Sequence, residues 1–151
     1  MTEFLTELTS PFLKLLDVRL LHRDVAVAEL GVTITDKHLR SRGIMHGGVG
    51  ATLLDTAMGV AVSTKTPPGH ITVTVQLSVN YIRPAWQGEE LRITAALNHC
   101  GRQTAVAHAE IRTLDGVLVA MSTGTFLFVL DPDPNQQILP RRSDPPNRSE
   151  V

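Results

Sequence analysis

His46-Gly47-Gly48 opens an apolar run in which Asp55 is the one formal charge between Gly43 and Thr64, and these residues are the densest group able to do chemistry in the chain. If the run is helical, His46-Gly47-Gly48 stands at its start, where free backbone N–H groups and the positive end of the helix dipole collect. Such a place suits an anion or a developing oxyanion, and glycine lets a substrate carbonyl approach the backbone closely. The plainer reading is a flexible helix start capped by His46, and the spacing leaves both open. Asp55 in mid-helix is costly unless it is paired or lines a cavity. A carboxylate there suits a general base or a nucleophile; it equally suits a structural aspartate that holds a neighbouring loop. Nine residues separate His46 from Asp55, which is about 900° of helical turn and roughly 13 Å, so the two lie on opposite faces. They cannot meet around one small substrate within a single chain. If both are catalytic, the site lies between two chains and the protein is an oligomer.

The elements that must position these residues follow from periodicity and punctuation. Phe4, Leu5, Leu8, Phe12, Leu15 and Leu16 recur at mostly helical spacing with Pro11 as a break, which predicts a short amphipathic opening in two pieces. Residues 17–34 predict strand with a bend or bulge near Arg23-Asp24. Residues 36–47 form a polar, basic loop, and 48–64 the apolar helix, ended by Pro67-Pro68-Gly69. Gly48, Gly50 and Gly59 each cost that helix about 1 kcal/mol relative to alanine, so close approach of a backbone or a ligand is expected at each. From Ile71 to Tyr81 alternation is strict, with Ile71, Val73, Val75, Leu77, Val79 and Tyr81 facing one way. Thr72, Thr74, Gln76, Ser78 and Asn80 face the other. Further strands are predicted over 91–97, 103–113 and 117–130, the last two joined at Asp115-Gly116. One helix followed by an antiparallel meander is an α+β layout in which the sheet wraps the helix. The expected organisation is one domain over 1–130 and a proline-rich tail over 131–151.

Composition narrows the partners. Fourteen Lys+Arg against fifteen Asp+Glu leave a net charge of −1 on 151 residues, without the basic field that grips nucleic acid or anionic membrane. The Gly43–Thr64 run is long enough for a membrane span, but Asp55, His46 and five glycines favour a helix buried in a soluble, cytoplasmic protein. A secretory leader is not expected. Cys100 is the single cysteine, which removes disulfide and CxxC frameworks. It precedes a Gly-Arg turn and lacks a supporting histidine pattern beyond His99, so it is not expected to be a nucleophile. His22, His38, His46, His70, His99 and His108 show no zinc-binding spacing, and no metal or redox cofactor is expected.

HGGVGATLLDTAMG, then TVTVQLSVNYIRPAWQGEEL, then VLVAMSTGTFLF resemble the PaaI-type acyl-CoA thioesterases of the hotdog fold, over roughly residues 15–130. The resemblance implies a long helix wrapped by a curled antiparallel sheet of five to six strands. It implies homodimers with shared active sites that pair into tetramers. The activity it implies is hydrolysis of an acyl- or aryl-CoA thioester, with coenzyme A part of the substrate. It gives Gly47 a backbone N–H that polarises the thioester carbonyl, with His46 and Gly48 lining the same site. The same resemblance implies that Asp55, from the partner chain, activates water or attacks the thioester. Thr74 matches a Ser/Thr position that orients water or the carboxylate, and reads equally as one of several alternating threonines. Arg83 and Pro84, and more weakly Arg102, match segments that touch the nucleotide end of coenzyme A, an arginine suiting a phosphate. The sequence departs from the resemblance at Arg40, where many members carry Asn or Gln six residues before the histidine. Gly59 likewise lacks a hydroxyl that some members carry. Two other readings stand beside hydrolysis. A hotdog hydratase or dehydratase needs histidine motifs that are absent here. A non-catalytic acyl-CoA-binding module would leave Asp55 without chemical work.

Overall fold

Leu53, Leu54, Ala57, Met58, Ala61 and Val62 recur at i, i+1, i+4, i+5, i+8 and i+9, and all six side chains are fully buried in the computed structural model. They form the buried stripe of helix α2 (Gly47–Ser63), two turns of which separate Gly47 from Asp55. The structure describes residue 8, residues 10–132 and residue 134. Before α2 come a short helix α1 (Pro11–Leu15), strands β1 (Arg19–Asp24) and β2 (Val27–Thr33), and two single 3-10 turns. After it come β3 (His70–Tyr81), β4 (Glu90–Cys100), β5 (Thr104–Thr113) and β6 (Leu118–Leu130). Among the described residues, no helix is long and apolar enough to cross a membrane.

The six strands form one antiparallel sheet in the order β1-β2-β4-β5-β6-β3. The helix packs on its inner face against Leu30, Val32, Leu91, Ile93, Ile111 and Phe126, which with the helical stripe make the core. Each fully buried large aliphatic side chain contributes roughly 1.5–3 kcal/mol, so this stripe anchors α2 and fixes which of its faces looks outward. Gly69, at φ +71°, turns the chain out of α2 into β3, the strand that ends the sheet on one side.

Three expectations change. The strand predicted over 17–34 is two strands folded as a hairpin at Val25-Ala26, with Ala26 in the left-handed region at φ 67°. The alternation through β3 is not strict. A bulge between Thr74 and Gln76 inserts Val75, and one extra residue exchanges the faces of everything beyond it. Before the bulge, Ile71 and Val73 are exposed while Thr72 and Thr74 face the helix side; after it, Leu77 and Val79 pack on the core. The polar loop over 36–47 also contributes to the core. His38 is fully buried, with Nδ1 accepting from the Thr35 N–H at 2.9 Å and Nε2 donating to the Leu16 carbonyl at 2.8 Å. Pro11 starts α1, in keeping with a break at that residue; Phe4, Leu5 and most of the tail lie outside the described residues.

Candidate active site

His46 is the N-cap of α2, with β-region backbone (φ −64°, ψ 134°) and Nδ1 accepting the Gly48 N–H at 2.9 Å. Its carbonyl accepts from the N–H of Val49 at 2.9 Å and of Gly50 at 3.3 Å. Of the first four helical N–H groups, the one on Gly47 has no partner among the described residues. The ring nitrogen that accepts from Gly48 must be unprotonated, so a neutral His46 carries its proton on Nε2.

A cavity of about 330 Å³ opens beside Gly47. Arg40, Gly47, Arg83 and Pro84, all expected at the substrate, line it together with Tyr81 and Met45. Tyr81 was not expected there. Its hydroxyl donates to the Gly47 carbonyl, and its ring lies where a Cβ on Gly50 would come within 3.1 Å. The close approach at Gly50 is thus made by a side chain, not by the strand backbone or the ligand that the interior glycines led one to expect. The only trace of it in the sequence is an aromatic residue at the end of a strand, ahead of Ile82-Arg83-Pro84.

The two arginines of the cavity differ in their partners. Arg83 Nη2 donates to Glu89 Oε1 at 2.8 Å, and Nη1 donates to the Pro84 carbonyl at 2.6 Å. Glu89 Oε2 also accepts the Trp86 N–H at 2.8 Å, so one carboxylate braces the cavity wall over residues 83–89. The Arg83 hydrogen bond holds the Glu89 carboxyl below the usual range against a smaller opposing effect of burial. Arg83, matched to a phosphate contact on its sequence, is thus spent first on Glu89. Arg40 is exposed, its backbone N–H bonded to the Ile44 carbonyl at 2.9 Å, and its guanidinium has no ion pair among the described residues. It is the uncompensated positive charge of the cavity.

Asp55 lies outside this cavity. Its Oδ1 accepts from Thr74 Oγ1 at 2.8 Å, and Oδ2 has no partner among the described residues. Gly47 and Asp55 are eight residues apart, about 12 Å along the helix and turned by roughly 80°. One chain therefore assembles two half-sites: an open N–H with Arg40 at the helix start, and a carboxylate with its hydroxyl donor two turns on. Arg102 is exposed on the turn between β4 and β5, outside the cavity. Cys100 is exposed, its thiol against the Gly101 carbonyl at 3.8 Å. Among the described residues, no three His, Cys, Asp or Glu side chains cluster as metal ligands.

Known proteins share this fold and parts of this sequence. The family model described as the thioesterase superfamily matches residues 42–120. The acyl-coenzyme A thioesterase PaaI of Escherichia coli is 30% identical over 111 residues, covering 74% of this chain and 77% of that one. The medium/long-chain acyl-CoA thioesterase YigI of the same organism is 31% identical over 100 residues, covering 58% of this chain and 64% of that one. The solved structure of E. coli PaaI, a protein of the phenylacetic acid degradation operon, superimposes with a TM-score of 0.75 at 27% identity, covering 80% and 86%. A hypothetical thioesterase of Streptococcus pneumoniae solved with coenzyme A gives 0.69 at 25%, covering 76% and 87%.

Proposed function

The chain belongs to the thioesterase superfamily, with the hotdog fold, and from that premise we propose that it hydrolyses an acyl- or aryl-CoA thioester to the free carboxylic acid and coenzyme A. The observation that carries the reading is the pairing of an unengaged N–H on Gly47 with a carboxylate, Asp55, that keeps one oxygen open while Thr74 holds the other. In the reaction the Gly47 N–H donates to the thioester oxygen as negative charge develops on it. Arg40 adds a cation at the same cavity, and His46 keeps the helix start in shape by holding Gly48. Asp55 acts in one of two ways. As a general base it takes a proton from water while that water's oxygen attacks the carbonyl carbon; the C–S bond then breaks and the departing thiolate takes that proton from Asp55. As a nucleophile it attacks the carbon itself, expels the thiolate, and leaves an anhydride that water then opens. Either route ends in acid plus thiol, with no metal or redox group drawn upon. Pro84 lines the cavity that takes the coenzyme A arm, and Arg102, at the other end of the sheet, reaches that arm only from a neighbouring chain.

The half-sites are separated along one helix, so a complete site takes Gly47 from one chain and Asp55 from another. We place the partner along β3. It is an edge strand, and it exposes Ile71, Val73 and Val75, a combination that soluble proteins cover by pairing. A homodimer built this way, paired again into a tetramer and acting in the cytoplasm, completes the reading. Thiol release from a panel of aromatic and medium-chain acyl-CoAs, with wild type and Asp55→Ala, tests it. Turnover that collapses in the variant supports hydrolysis; tight binding of the panel without turnover by the wild type refutes it in favour of a binding module.

A further inference from the structure

The three interior glycines of α2 are not alike. A Cβ on Gly50 would meet Tyr81 at 3.1 Å, and one on Gly48 would meet the His46 ring at 3.0 Å, so at both positions glycine avoids a tight contact. A Cβ on Gly59 would meet, among the described residues, only Phe126 Cε1 at 3.8 Å, an ordinary contact. Packing does not explain Gly59, although glycine is the poorest non-proline residue for a helix interior. What lies beside it is a cleft of about 470 Å³ between the two ends of the curled sheet, walled by Leu13, Leu20, Thr56, Val60 and Thr72. The cleft adjoins the reacting carboxylate. Thr56 follows Asp55 in sequence, Gly59 is one helical turn beyond it, and Thr72 shares its face of β3 with Thr74. The hydroxyls of Thr56 and Thr72 have no hydrogen-bond partner among the described residues. At the far side of the cleft, Arg23 Nη2 donates to Ser63 Oγ at 2.9 Å.

Resting on the thioesterase reading, we propose that this cleft is the acyl pocket and that Gly59 sets its size. The missing side chain leaves the space that the acyl group enters past Asp55.

The test compares kcat/KM on acetyl-, octanoyl- and benzoyl-CoA for wild type, Gly59→Ala and Gly59→Leu. Gly59→Ala is expected to raise the melting midpoint by about 2–4 °C, since alanine favours the helix and meets no clash. It should leave acetyl-CoA hydrolysis within about twofold while lowering the larger substrates about tenfold, and Gly59→Leu should deepen that selective loss. A loss equal across the panel, or no loss at all, overturns the assignment. Failure of the wild type on every thioester would refute hydrolysis instead. In that event, binding of non-hydrolysable thioether analogues decides the cleft: Gly59→Leu must weaken the large analogues and spare the small one, or the cleft is not the acyl pocket.

Discussion

Asp55 and Thr74 form one hydrogen-bonded unit, and their energetic coupling is the sharpest consequence of the geometry. Removing the carboxylate in Asp55→Ala takes away a group whose role as base alone is worth roughly 10²–10⁴ in rate. The Thr74 hydroxyl reaches the reaction through Asp55 Oδ1 at 2.8 Å. A hydrogen bond to a charged group contributes about 1.5–3 kcal/mol, and Thr74 is exposed, which places Thr74→Val at the lower end, about tenfold in kcat. The double variant should then be no slower than Asp55→Ala, because the hydroxyl has nothing left to orient. All three variants should stay folded. Alanine is a better helix residue than aspartate by up to ~0.7 kcal/mol, which offsets part of the lost hydrogen bond, so Asp55→Ala should melt only slightly below wild type. Steady-state thiol release measured alongside thermal unfolding gives both readouts on one preparation. A further tenfold loss on adding Thr74→Val to Asp55→Ala would refute the coupling and give Thr74 an independent role. An Asp55→Ala variant with most of its turnover would refute the mechanism.

Gly47→Pro should delete the open N–H at little cost in stability, since proline is well tolerated at the first helical position and His46 already has the extended backbone that a following proline requires; kcat should fall about 10²–10³, the usual loss for one oxyanion donor. Mixing Gly47→Pro with Asp55→Ala chains should restore about a quarter of wild-type sites if each site draws on two chains, as isologous pairing allows, and restored turnover in the mixture is the measurement. Gly50→Ala should destabilise by about 1–3 kcal/mol in denaturant melts despite its helix propensity, because its Cβ is tight against both Tyr81 at 3.1 Å and Met45 at 3.2 Å. Glu89, with its carboxyl held low by Arg83, contributes stability that is fully present above the ordinary glutamate value of 4.5 and is lost as pH falls through the depressed folded value. Glu89→Gln should therefore be less stable than wild type at neutral pH, and the gap should close in acid melts; a gap independent of pH would show that the charge contributes nothing.

Much of this protein was legible in its residues. Turn signals at Pro67-Pro68-Gly69 and Asp115-Gly116 delimit α2 and the hairpin of β5 with β6, because glycine and proline act through their own backbone geometry. The half-turn between His46 and Asp55 separates the two half-sites, because helical rotation per residue is a local constant. The tertiary structure decided matters that depend on residues far apart in the chain. It seats β3 beside β6 rather than β4, and it places a bulge at Val75 that turns Thr72 and Thr74 toward the helix. It binds Arg83 to Glu89 and leaves Arg40 as the cation of the cavity. It brings Tyr81 onto Gly47 while opening a cleft beside Gly59. Periodicity reports which faces of one element are apolar. It carries no information about which strand becomes the neighbour, where the register slips, or which charge finds a partner first, since those outcomes are set by packing the whole sheet around one helix.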